Sequence, residues 1–171
     1  MMKMTELIGH ELRWVQPRAM KMEFELRTGD IIAATLRFRS IFGTSATAAS
    51  ADGSWTFKGG WWGTKVTVRA RGAETDLAVF NSNKLTLELP DGRKYLVGPN
   101  FFASQYEFNM ETGDALISYR KLGGMLTLHC SYGVEIHALA KEVPEMPWMV
   151  SLGLYLMIYW IRACSTGGGP G

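Results

Sequence analysis

Most of this chain alternates between apolar and polar residues with a period of two, which is the pattern of half-buried β-strands. Near the start, Met22, Phe24 and Leu26 fall on one face of such a segment, and charged residues fall between them. We therefore predict short strands wherever the alternation holds. These segments are 21–27, 36–39, 65–71, 85–89, 93–97, 101–108, 115–120, 125–129 and 132–138.

Turn residues separate the predicted strands. Thr28-Gly29-Asp30, Asp91-Gly92 and Gly98-Pro99 are composed of residues that favour tight turns. The run 43–54 is rich in Gly, Ser, Thr and Ala, and we predict that it is a loop ending in an Asp52-Gly53 turn. Roughly ten short strands with frequent turn signals predict a mostly β fold, an antiparallel barrel or sandwich.

Residues 148–161 depart from this pattern, because they form fourteen uncharged residues that are apolar on every side. A helix of this kind must be buried in protein or in lipid. It would be roughly 21 Å long at about 1.5 Å per residue, whereas a bilayer core requires about 20 apolar residues. We predict a buried core helix over 147–163. A short C-terminal membrane anchor is the alternative.

The predicted helix carries both large and small residues. Ser151 and Gly153 are small enough to allow strands to approach the helix closely. The Gly-rich tail, 165–171, is predicted to be mobile. The large side chains that we expect to be buried are Leu152, Leu154, Leu156, Ile158 and Trp160.

Length and charge narrow the class of protein. The 171 residues suffice for one domain with its own core, and we predict a single domain over 1–164. The net charge is +2; residues 1–72 hold eleven Lys/Arg and six Asp/Glu, a net +5, while 73–171 hold seven and ten, a net −3. This imbalance is too mild to indicate nucleic acid. The basic half favours an anionic partner such as a membrane surface.

The two cysteines, Cys130 and Cys164, do not form a disulfide framework. Free thiols suit a reducing compartment. No apolar region typical of a signal peptide follows Lys3. We expect a cytoplasmic protein, peripheral to a membrane if it binds lipid.

In a β-rich chain that ends in an apolar helix, the helix can be buried if the sheet closes into a barrel around it. Four segments are similar to the tubby C-terminal-like superfamily, in its phospholipid scramblase and LURP-one-related branch: Trp55–Gly63, Asp91–Tyr95, Tyr106–Phe108 and Trp148–Ile161. The resemblance covers nearly the whole chain. It implies a closed barrel of about twelve strands around the C-terminal helix, in a branch whose members include lipid-binding and membrane-associated proteins.

The chain departs from this branch in two respects. It is shorter than a tubby domain, which leaves room for short or missing strands. It also lacks the Asp-rich, calcium-binding-like segment that precedes the terminal helix of scramblases, since only Glu142 and Glu145 lie there. Calcium-triggered lipid movement is therefore not implied.

Candidate catalytic and metal-binding residues are sparse. His129, Cys130 and His137 are the only metal-type cluster, and alternation turns Cys130 away from the two histidines. A zinc site needs at least three converging protein ligands, so we predict no metal and no cofactor. No nucleophile has a base within predicted reach, so we predict that the protein is not an enzyme.

A basic stripe is the best functional candidate. Alternation places five of its cations on the outward faces of two predicted strands, and Lys58 lies nearby in sequence, so that six cations share one surface if those strands are neighbours. Anionic lipids attract such residues, although a solvated surface would carry the same pattern. The stripe comprises Arg37, Arg39, Lys58, Lys65, Arg69 and Arg71.

The function that these observations predict is non-enzymatic binding of anionic phospholipid headgroups at a membrane surface. Trp61 and Trp62 lie close to the stripe in sequence, and tryptophan favours the membrane interface. The alternatives are a protein anchored in a bilayer by its terminal helix, a structural or interaction domain, and a carrier or enzyme that uses the barrel interior. The last conflicts with the helix, which would fill that interior. The sequence carries no signal of oligomeric state.

Overall fold

The structure, a computed structural model, describes residues 1–41, 43–60, 63–97, 105–122 and 131–166. It is a closed antiparallel barrel of twelve strands in which each strand pairs with its neighbours in sequence and the last pairs with the first. The predicted fold class is confirmed. The strands are β1 Leu12–Val15, β2 Glu23–Thr28, β3 Ile31–Phe38, β4 Ser45–Ser50, β5 Gly53–Gly59, β6 Lys65–Ala70, β7 Ala78–Asn81, β8 Thr86–Glu88, β9 Lys94–Val97, β10 Gln105–Met110, β11 Ala115–Leu122 and β12 Ser131–Ile136.

Three helical segments complete the fold. A 3₁₀ helix, Met4–Leu7, precedes β1, and a second, Ala138–Glu142, follows β12. The single α-helix, α1, covers Met146–Thr166 and begins and ends close to the predicted limits. It extends two residues into the predicted tail, and 167–171 lie outside the described residues. Among the described helices, none combines the length and the hydropathy of a membrane-spanning segment.

The predicted in-and-out alternation is confirmed along the barrel wall. Phe24 and Leu26 on β2, and Val66 and Val68 on β6, are buried, whereas their polar neighbours face outward. Because the strands pair without interruption around the barrel, every strand has hydrogen-bonding partners on both sides and the sheet has no open edge. The predicted strand over 125–129 lies outside the described residues.

The predicted loop over 43–54 is wrong, because its middle is strand β4 and its end begins β5. Only residues 43–44 and the turn at Asp52 remain of it. The inward residues of β4 are Ala46 and Ala48, both buried where the helix passes close to β3, β4 and β5. Small side chains are needed here because the helix already fills the space. The sequence therefore looks like a loop although the backbone is a strand.

Helix α1 forms the core of the barrel. Leu152, Leu154, Leu156 and Ile158 are buried as predicted. The prediction that Trp160 is buried is wrong, because this residue is only half-buried near the C-terminal end of the helix. Its ring packs edge-on against Phe80, with 5.3 Å between the ring centroids.

Hydrogen bonds from tyrosines on the wall and on the helix lock the two together. The Tyr119 hydroxyl, from β11, donates to the carbonyl oxygens of Met149 and Val150 at 3.1 and 2.8 Å. From the helix, Tyr155 donates to the carbonyl of Thr44, and Tyr159 to that of Gly60 at 3.3 Å. These bonds fix the height and the rotation of the helix, because each joins one side chain to one backbone oxygen.

The N-terminal end of α1 is held by charge. Glu145, just before the helix, accepts bonds from Arg93 at 2.6 Å and from the Tyr95 hydroxyl at 2.9 Å. The Arg93 backbone amide and side-chain Nε also donate to Asp91, at 3.0 and 2.7 Å, and these bonds lower the pKa of that carboxyl. The Asp91–Tyr95 segment of the family resemblance therefore anchors the helix to the barrel wall.

At Gly153 the wall approaches the helix closely. A Cβ at this position would overlap the Tyr119 ring. We expect Gly153→Ala to lower the free energy of unfolding by about 1–3 kcal/mol through overpacking, although alanine favours a helix by about 1 kcal/mol over glycine. Denaturant unfolding monitored by circular dichroism measures the change.

Ser151→Ala is the matched control, two residues away. Ser151 is buried, and its hydroxyl has no hydrogen-bond partner among the described residues. Removing an unsatisfied buried hydroxyl should leave stability equal or slightly higher. A Gly153→Ala protein as stable as wild type would contradict the close packing of Tyr119 on the helix.

Buried tyrosines make the fold sensitive to alkali. Burial, reinforced by the hydrogen bond to Glu145, raises the pKa of Tyr95 to about 12, whereas an unfolded tyrosine ionises near pH 10. Because the folded-state pKa is the higher one, the stabilisation is complete below about pH 10 and is lost as pH rises toward 12. We expect urea unfolding at a series of pH values to show this fall.

Tyr95→Phe tests whether ionisation of Tyr95 causes the loss of stability at high pH. At neutral pH the variant should be less stable, because Glu145 loses a hydrogen-bond donor. Its stability should then fall less steeply between pH 10 and 12, so that the two curves converge. Parallel curves would show that Tyr95 does not contribute to the alkaline loss.

Candidate functional site

The two ends of the barrel differ in their chemistry. We call the end closed by the Met4–Leu7 helix the cap end; Met4 and Leu7 are buried there, and the Met4 amide donates to Asp52 at 2.9 Å. Acidic residues dominate the turns at this end. They are Asp30, Asp52, Glu74, Asp76, Asp91, Glu111 and Asp114.

The opposite end, which we call the loop end, is basic. It carries the connections 16–22, 39–44, 60–64 and 82–85, and the C-terminal half of α1 points toward it, as the Tyr155 and Tyr159 bonds show. The described residues of these connections contain no Asp or Glu. Their cations are Arg18, Lys21, Arg39 and Lys84.

The strands of the basic stripe are not neighbours, which corrects the prediction. Strands β4 and β5 lie between β3 and β6. The error follows from reading 43–54 as a loop, since that interpretation removed β4 from the sheet. The intervening strands nevertheless connect the stripe, because cross-strand register aligns Arg37 with Thr47, Thr47 with Thr56, and Thr56 with Arg69.

The result is a groove on the outer wall with a hydroxyl floor and a cationic rim, which we call the basic groove. Its volume is about 480 Å³. Short Thr47 and Thr56 lie between the longer Arg37 and Arg69, and this difference in side-chain length creates the concavity. A second row lies nearer the loop end, where Ser45 pairs with Lys58, and Lys58 with Thr67. The Arg39 amide donates to the Ser45 carbonyl at 2.9 Å, so Arg39 begins that row.

The groove therefore contains four of the six predicted residues: Arg37, Arg39, Lys58 and Arg69. Lys65 is exposed on β6 but outside the groove lining. Arg71 lies at the cap end, where its amide bonds to Ser54 at 2.9 Å. Trp61 and Trp62 lie outside the described residues.

Two carboxylates adjoin the groove. Asp76 accepts a charge-assisted hydrogen bond from the Arg69 Nε at 2.5 Å. Glu23, on β2, is the cross-strand partner of Arg37. Within the described chain, Arg37, Arg39 and Lys58 form no ion pair. These three cations are available to an anionic ligand, and hydroxyls beneath them can donate further hydrogen bonds.

A larger groove, of about 680 Å³, lies across β1, β12, β11 and β10. Gly133 lies between Arg13 and Arg120 in cross-strand register, and its missing side chain deepens the surface there. The lining also includes three carboxylates, those of Glu11, Glu107 and Glu135. This mixture of charges makes it a poorer match for an anion than the basic groove.

Beside the larger groove is a contact that sequence analysis missed. The Ser118 hydroxyl lies 2.8 Å from His137 Nε2 and 3.3 Å from Glu107. The prediction that no nucleophile has a base within reach is therefore wrong. Ser118 faces outward by alternation, but its neighbours follow from the pairing of β10, β11 and β12, which the sequence does not display. His129 and Cys130 lie outside the described residues.

The geometry around Ser118 differs from that of an activated nucleophile. The Glu107 carboxylate competes with the imidazole for the hydroxyl proton. The carboxylate that could orient the imidazole, Glu135, lies 3.9 Å from His137 Nδ1, beyond hydrogen-bond distance, and is mostly exposed. A catalytic triad requires a directed base and an orienting acid. The cluster is better described as a polar network on the barrel surface.

Comparison with known proteins adds information on the fold. No family model matches the chain, and no curated protein matches it. The X-ray structure of protein AT5G01750 from Arabidopsis thaliana is similar, with a TM-score of 0.60 and 11% identity, over 91% of this chain and 93% of that one. This degree of identity concerns the fold alone. The likeness and the twelve-stranded barrel fit a tubby-like fold.

Proposed function

We propose that this protein is a non-enzymatic, tubby-like domain of the scramblase and LURP-one-related branch that binds anionic phospholipid headgroups at a cytoplasmic membrane surface. The observation that carries the proposal is the basic groove, in which four cations surround a floor of serine and threonine hydroxyls. Phosphate oxygens accept hydrogen bonds from both kinds of donor. The groove lies on the outer wall, where a headgroup can reach it without displacing the buried helix.

The barrel interior offers less support for the alternative of a small-ligand carrier. Ser151, Leu152, Leu154 and Leu156 of α1 are completely buried, and Tyr119 and Tyr155 bond the helix to the wall. A ligand inside the barrel would have to replace these contacts. A site on the outer wall requires no such rearrangement.

The first test reverses charge in the groove. Arg39→Glu with Lys58→Glu should weaken binding to vesicles of phosphatidylcholine and phosphatidylserine by at least about 30-fold, because each basic residue near an anionic surface contributes about 1 kcal/mol. Both residues are exposed and form no ion pair among the described residues, so the free energy of unfolding should change by less than about 0.5 kcal/mol. Vesicle co-sedimentation at low salt measures the binding.

The matched control reverses two cations at the cap end, Arg71→Glu with Lys141→Glu, which changes the net charge equally. Both residues are exposed. If the groove is the site, this variant should bind nearly as well as wild type. Equal losses in the two variants would indicate attraction by net charge alone, and wild-type protein that ignores anionic vesicles at low salt would disprove the proposal.

The second test frees Arg69 from its ion pair with Asp76. Asp76→Asn removes the carboxylate that pairs with Arg69, and should tighten binding to the same vesicles by about fivefold. Asp91→Asn is the control, because it also removes a negative charge from an exposed Asp–Arg pair in a cap-end turn, but one whose arginine, Arg93, does not line the basic groove. Tightening in the Asp91 variant alone would place the anionic surface away from the basic groove.

A further inference from the structure

Two large apolar side chains project from the loop end of the barrel. Met20, in the β1–β2 connection, is 86% exposed, and Ile41, in the β3–β4 connection, is 57% exposed. Exposed side chains of this size at the tips of two connections lose no contacts when they enter an apolar phase. They are candidates for contact with the acyl region of a bilayer.

The local structure holds both side chains in this position. The buried Gln16 side chain donates to the carbonyl oxygens of Ala19 and Lys21, at 3.3 and 2.8 Å, and so braces the backbone on both sides of Met20. Ile41 lies within a turn closed by the Gly43 amide and the Ser40 carbonyl at 3.3 Å. Neither connection needs to rearrange to present its side chain.

The two tips leave the barrel side by side. The Phe38 amide, at the end of β3, donates to the Met22 carbonyl just before β2 at 2.9 Å. The connections that carry Met20 and Ile41 therefore begin from adjacent, hydrogen-bonded positions on the rim. We refer to Met20 and Ile41 together as the apolar tip.

Cations surround this apolar tip. Arg18 and Lys21 flank Met20, and Arg39 precedes Ile41 by two residues and also lines the basic groove. At the cap end, the exposed Ile31 has a different setting, because it directly follows Asp30. Charge complementarity therefore favours the loop end as the face that meets an anionic surface.

We infer that the barrel docks end-on, with Met20 and Ile41 inserted at the boundary between headgroups and acyl chains while the adjacent groove holds a headgroup. The inference rests on the proposed function and adds an orientation and an apolar contribution to it. The partner is an anionic bilayer, not a free headgroup. The apolar contribution differs from the electrostatic one because salt screens only the latter.

The experiment measures vesicle binding across a range of salt concentrations. Met20→Ser with Ile41→Ser should weaken binding to phosphatidylcholine–phosphatidylserine vesicles by about fivefold or more at every salt concentration. Ile41→Trp should strengthen binding, because tryptophan favours the interface. Arg39→Glu with Lys58→Glu should lose most of its binding at low salt. Ile31→Ser and Ile31→Trp, at the cap end, are the controls and should match wild type.

A soluble inositol phosphate serves as a second probe, because it offers phosphates without a bilayer. The serine variant of the apolar tip should bind it as wild type does, while the groove variant should not. Vesicle binding that is unchanged in the serine and tryptophan variants would overturn end-on insertion and leave the proposed groove intact. Wild-type protein that binds no anionic vesicle would overturn both.

Discussion

The mutual burial of the C-terminal helix and the barrel is the constraint on which the rest of the structure depends. An apolar helix cannot remain in water, and a closed barrel of twelve strands encloses more space than its own side chains fill. The barrel shields the helix from water, and the helix fills the barrel interior. Gly153 beneath the Tyr119 ring and Ala46 and Ala48 on β4 show how closely their surfaces fit.

This packing also shapes the outer wall. Strand β4 carries small side chains on both faces. Its inward residues are small because the helix lies close to them, and its outward residues, Ser45 and Thr47, are also short. Longer cationic side chains on both sides then enclose a depression. The basic groove therefore lies over the part of the wall that the helix approaches closely.

The direction of the helix gives the barrel its polarity. Its N-terminal end is fixed at the cap end by Glu145 with Arg93 and Tyr95, and its C-terminal half extends toward the loop end through Tyr155 and Tyr159. Acidic turns surround the helix at the cap end. At the loop end, the only charged side chains in the described connections are cations. A surface that is negatively charged will therefore attract the loop end and repel the other. Groove, apolar tip and charge distribution all favour the same orientation in the proposed docking to a membrane.

The sequence by itself determined the properties that depend on local periodicity. Alternation with a period of two assigned Phe24, Val66 and their equivalents to the interior, and a wholly apolar segment identified the core helix, because burial acts on each residue according to its own polarity. It also identified Arg37, Arg39 and Arg69 as outward-facing. It failed at β4, where inward alanines are too small to produce the contrast on which the pattern depends.

The tertiary structure decided which faces meet. It separated Arg71 from the groove, aligned Arg37 with Arg69 across two intervening strands, and brought Ser118 to His137. Strand order and register are set by barrel closure and by the packing of the whole sheet on the helix, and a strand's own sequence records only which of its two faces is buried. The sequence could therefore name the four cations of the candidate site, whereas their arrangement and the hydroxyls between them required the closed barrel.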